Sequence, residues 1–81
     1  MTGYDVLQWV QAKPFVPFRI RLNSGRTYDV RHPEMVKVSH TQVVVFTYRG
    51  GIEDLVEKME MVGLQLVEAI EPLEPVRSQK S

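Results

Sequence analysis

His32, Glu34 and His40 are the one combination in this chain whose side chains suggest a metal site or acid–base pair. His32 and His40 lie eight residues apart with Glu34 between them, a spacing that matches no ligand signature. A structural zinc needs four ligands and a catalytic zinc three. His32 stands before a proline, so the simpler reading makes it a turn residue whose ring bonds to backbone or packs beside Tyr28. Glu53, Asp54, Glu57 and Glu60 form an acidic run that invites a cation, although such runs usually form a solvated face. Gly50-Gly51 is followed by Ile52-Glu53 and no lysine, so it reads as a hairpin turn and not as a phosphate loop. With no cysteine in the chain there is no thiol nucleophile, thiolate site or disulfide framework. The expectation is a non-enzymatic protein with neither metal nor cofactor.

Two binding chemistries are carried by other residues. Arg19, Arg21, Arg31 and Lys37 fall on one outward face, with Tyr48 and Arg49 near it if the strands close into a barrel. A basic face beside an aromatic ring is suited to phosphates and a stacked base. Pairing of these arginines with Asp29 and the acidic second half is the competing and favoured reading, because the net charge is zero. Trp9 lies to one side of its helical stripe and near Phe15, which makes the two a candidate partner-binding patch. An aromatic on an amphipathic helix is otherwise a core anchor.

The elements that must position these residues follow from spacing. Phe18, Ile20 and Leu22 alternate with Arg19 and Arg21, the period-two pattern of a half-buried strand. Asn23-Ser24-Gly25 then makes a short turn with glycine in the left-handed position. The register that follows sets Ile20 opposite Tyr28 and Phe18 opposite Val30 inside, with Arg19 facing Asp29 and Arg21 facing Thr27 outside. A slip of one residue would drive arginines into the core.

Upstream, Thr2 and Asp5 have capping-box spacing, and Val6, Leu7 and Val10 mark one apolar stripe, predicting a helix over 3–12. Pro14 ends it, and Pro17 keeps the approach to the first strand extended. Downstream, Pro33 removes a ladder donor and turns a corner, after which Met35, Val36 and Val38 resume a strand. His40-Thr41 reads as a tight connection. Residues 42–48 are apolar on both alternating sets, as in a strand covered on both faces. Periodicity leaves residues 52–62 open between helix and strand. Leu64–Leu73 reads as a one-turn connection and a last strand with Ile70 and Leu73 inward, before a polar tail over 76–81.

Length and charge bound the whole. The chain's 81 residues make one small domain, here 1–75, with a modest core. No apolar run is long enough to span a bilayer and the amino terminus does not read as a secretory leader, so the expected location is cytoplasmic and away from membranes. Residues 1–49 carry seven Lys or Arg against three acids, and residues 50–81 carry three against seven. The halves should attract, across the fold within one molecule or head to tail between subunits.

The segment PFVPFRIRLNSGRTYDVRHPEMVKVS with the closing AIEPL resembles a family of small bacterial proteins, of planctomycete type, that carry an RPFxPFRI, DGRxYxVxHPE and IEPL pattern. Lys13 replaces the usual arginine, and Asn23-Ser24 the usual acidic turn residue. That family has no assigned activity, so the resemblance implies bacterial origin and a shared fold. The layout is also similar to Sm-like proteins, including the bacterial Sm-like RNA chaperone. However, MVGLQLVEAI lacks the Lys-His pair that such RNA-binding rings place near their pore. What that likeness implies is self-association through strand edges. The expected fold is therefore mainly β (α+β), a small five-stranded antiparallel SH3-like or Sm-like barrel preceded by one helix. Its expected role is protein interaction or self-assembly, with single-stranded nucleic-acid binding as the alternative.

Overall fold

A computed structural model describes residues 1–48 and 56–73. Helix α1 (Gly3–Val10) starts where Thr2 caps it: the Asp5 amide donates to Thr2 Oγ1 at 3.2 Å and the Thr2 amide to Asp5 Oδ2 at 3.0 Å. It ends at Gln11, short of residue 12, so the proline stop acts from a few residues away. Val6 is fully buried, while Trp9 and Val10 pack against the core from its rim.

Strands β1 (Phe18–Leu22) and β2 (Thr27–Val30) form the expected hairpin in the expected register, Phe18 to Val30, Arg19 to Asp29, Ile20 to Tyr28 and Arg21 to Thr27. Gly25 closes it at a positive φ of 96°, with its amide bonded to the Leu22 carbonyl at 2.9 Å. Pro33 does turn the corner. Residues Pro33–Met35 wind into a single 3-10 turn, and β3 (Val36–Val38) leaves it toward a different sheet.

β4 (Gln42–Tyr48) pairs with β3 and, on its other side, with β5 (Val56–Gly63). The ambiguity over 52–62 is thereby settled as strand from Val56 onward, since every residue but the bulged Glu57 gains a ladder partner on β4 that a surface helix would not have. A 3-10 turn at Leu64–Leu66 leads to β6 (Val67–Pro72), which returns to pair with β1. Gly50-Gly51, Glu53, Asp54 and the tail over 76–81 lie outside the described residues.

The protein is thus mainly β, with one amino-terminal helix and six strands among the described residues, in two antiparallel sheets ordered β2-β1-β6 and β3-β4-β5. This corrects the expectation of five strands in a closed barrel. The added strand is β5, in the segment that periodicity left open, and the ladders of the described residues form two sheets that do not close on each other. The core lies between them. Phe18, Ile20, Val30 and Val43 are fully buried, with Val36, Val45, Val62, Leu64 and Val67 nearly so. Ile70 packs against this cluster and Leu73 is half-buried, its amide bonded to the Pro17 carbonyl at 2.9 Å.

Two glycines permit this assembly for different reasons. A Cβ on Gly25 would meet open space but would hold a backbone angle that side chains resist, at about 1–2 kcal/mol. A Cβ on Gly3 would come within 2.6 Å of the Ser39 carbonyl oxygen, where α1 leans on the β3–β4 turn. Both Gly25→Ala and Gly3→Ala are expected to lower the melting temperature, by about 4–8 °C for each kcal/mol lost. In Gly3→Ala, overpacking of about 1–3 kcal/mol outweighs the propensity gain of at most ~1 kcal/mol. A raised melting temperature for Gly3→Ala would mean that α1 does not sit against Ser39.

Candidate interaction surface

The strand faces place the arginines as the alternation requires, pointing out from the sheet of β2, β1 and β6. There they are occupied. Arg19 Nε lies 2.8 Å from Asp29 Oδ1, and Arg21 Nη1 lies 3.0 Å from Glu71 Oε1, with Glu68 further off at 3.8 Å. The bond from Arg19 to Asp29 raises the guanidinium pKa still further, so its charge is permanent. Arg31, one residue past β2, and Lys37 on β3 are exposed and enter no ion pair among the described residues. Tyr48 is half-buried at the end of β4, where its hydroxyl donates to the Glu34 carbonyl at 2.9 Å. It stitches β4 to the proline turn.

Charge attraction between the two halves of the chain is seen within one molecule. Arg21 reaches Glu71, and Arg26 Nη2 reaches Glu60 Oε2 at 2.8 Å. Glu60 Oε2 also accepts from the Tyr28 hydroxyl at 3.1 Å, and Arg26 lies over the Tyr28 ring, 5.5 Å from its centre. Because Glu60 is on β5 and Arg26 and Tyr28 flank or belong to β2, this triad ties one sheet to the other. Glu60 therefore leaves the acidic run as a structural link, while Glu57 stays exposed.

Trp9 and Phe15 both pack on Phe18, their ring centres 5.6 and 5.9 Å from its own. Both are half-buried, so each anchors the core with one face and keeps the other at the surface. His32 is exposed at the start of the proline turn, where its carbonyl accepts from the Met35 amide. Among the described residues its ring makes no hydrogen bond, and no three His, Asp or Glu side chains gather as a metal-sized cluster. His40 borders a shallow, largely apolar groove of about 430 Å³ floored by Gly3, Tyr4, Leu7 and Val38. Tyr4 is the other titratable side chain on its lining, and no carboxylate joins them there.

The surface that residue-by-residue reading missed lies on the far side of β4. Its inward set, Val43 and Val45, is buried as expected. The outward set is not covered, contrary to the reading of β4 as sheltered on both faces. Val44 and Phe46 are half-buried beside their β5 partners Met61 and Met59, each 59% exposed, with Val56 46% exposed at the end of the row. The signal was present in QVVVFTY: two apolar faces require two covering layers, and the described residues hold a single α-helix to supply one.

No helix among the described residues is long and apolar enough to cross a membrane. Set against known protein families, curated proteins and solved structures, the chain matches none of them.

The inter-sheet triad has a pH signature at both ends of the scale. The bond from Arg26, helped by Tyr28 and Lys58 and opposed by burial, holds the Glu60 carboxyl below the ordinary glutamate range. Its stabilisation is present above the unfolded value of about 4.3 and is lost as pH falls through the lower folded value. Tyr28 is pushed up, first by burial and then by the Glu60 carboxylate, so its contribution holds below about pH 10 and is lost as the phenol ionises. Asp5 is held down by the Thr2 amide and adds to the acid side. Denaturant midpoints should show Glu60→Gln below wild type at pH 7 and converging with it under pH 4. Tyr28→Phe should flatten the decline above pH 10. Parallel curves for Glu60→Gln and wild type from pH 7 to 3 would show the triad carries no charge-linked stability.

Proposed function

We propose that this protein is a non-enzymatic interaction or self-assembly module. The observation that carries the reading is the uncovered outer face of β4 and β5, where Val44, Phe46, Met59, Met61 and Val56 form one apolar strip. Contiguous exposed apolar strips on small soluble domains mark contact surfaces, and methionines adapt their shape to a partner. Trp9 and Phe15 support the same reading as a second apolar edge.

The finer architecture belongs to the same proposal. β1 pairs with its successor and with the final strand, and a 3-10 turn precedes that final strand, an order similar to SH3-like and Sm-like barrels. In this reading β2 and β3 are the halves of one bent strand, and strand edges are where copies or partners add. A bacterial, cytoplasmic setting goes with the lack of cysteine. Nucleic-acid binding through Arg19, Arg21, Arg31 and Tyr48 is the weaker reading, because the first two are neutralised by acids and the Tyr48 hydroxyl is already bonded.

A dye whose fluorescence rises on apolar surfaces should light up with the native protein. Met59→Lys combined with Met61→Lys should abolish most of that signal while leaving the circular dichroism unchanged. A native protein that binds no dye and elutes as a strict monomer at every concentration would overturn the reading.

A further inference from the structure

We infer that β5 of one copy pairs with β5 of a second copy, antiparallel and about a two-fold axis through Met59, to build a continuous six-stranded sheet. This rests on the self-assembly reading and names its contact. β5 is the longest strand, eight residues, and among the described residues it is laddered on one side only, to β4. The other sheet edges are guarded. β3 has three residues and β2 four, while β6 carries Glu68, Glu71 and a terminal Pro72. β5 carries Glu57, Lys58 and Glu60 and a bulge near Val56, but it alone has the length for an extended ladder, and it presents two exposed methionines.

Its sequence selects the partner. Glu57-Lys58-Met59-Glu60-Met61 laid antiparallel on itself with Met59 opposite Met59 sets Lys58 opposite Glu60 twice and Glu57 opposite Met61 twice. Unlike charges directly opposite each other stabilise a ladder. Moving the axis by one residue sets Glu60 against Glu60 or Lys58 against Lys58, both repulsive. Registers with the axis between residues turn the core-facing set of one copy onto the outward set of the other. Chemistry in the monomer is compatible with the swap. Glu60 uses Oε2 for Arg26 and Tyr28, and Oε1 lies 3.5 Å from Lys58 Nζ, so this oxygen is placed to take a lysine of the second copy instead. The outward faces then join, with the methionines of both copies side by side across the seam.

The chain has no cysteine, so one introduced thiol reports one contact. Met59→Cys places two thiols directly opposite, within the reach of a disulfide. Met61→Cys places them about 14 Å apart along the strands at ~3.4 Å per residue. Under mild oxidation Met59→Cys is expected to form a covalent dimer on a non-reducing gel, whereas Met61→Cys stays single. Wild-type mass by light scattering should rise from 9.4 kDa toward twice that value with concentration, and Lys58→Glu should hold it at the monomer. If the wild-type mass rises but Met59→Cys does not cross-link, the pairing is overturned and self-assembly stands through another edge. A wild-type mass fixed at 9.4 kDa overturns the pairing outright, and the dye experiment then decides the broader reading by itself.

Discussion

Strand β1 must bury Phe18, Ile20 and Leu22 while keeping Arg19 and Arg21 in water, and the rest of the molecule is arranged around that requirement. A strand with two such different faces has one tolerable orientation, because a buried unpaired guanidinium costs far more than any single contact returns. β2 and β6 flank it on either side, so β1 is the spine of its sheet. Phe18 takes the rings of Trp9 and Phe15 from the rim and stands opposite Val30 and Pro72 in the ladders. Helix, hairpin and final strand all converge on that ring.

The second sheet is held to the first by few devices. The proline turn hands the chain from β2 to β3, and Tyr48 fastens β4 to that turn. Glu60 reaches across from β5 to Arg26 and Tyr28. The exposed ion pairs on β1 are screened by solvent and add little to stability. Their larger effect is on function, since they spend the arginines on the protein's own carboxylates. Arg31 and Lys37 are cations without an ion pair among the described residues, whereas the outside of β4 and β5 presents a row of five apolar side chains. That contrast is why we propose interaction and not anion binding.

Local chemistry alone determined the capped helix, the β1–β2 hairpin and its register, the corner at Pro33 and the one-turn link before the last strand. In each case the deciding forces act between residues close in sequence: a cap three residues away, a glycine turn, a missing proline donor. The candidate contact residues Trp9 and Phe15 were also legible as near neighbours, though not their shared grip on Phe18. Tertiary structure decided the rest. Whether residues 56–63 become strand depended on β4 being there to pair with, which their ambiguous periodicity could not encode. The division into six strands and two sheets depended on where the chain travels after Pro33. The exposure of Val44, Phe46, Met59 and Met61 depended on how many layers the fold supplies, a property of the assembled whole and of no single segment.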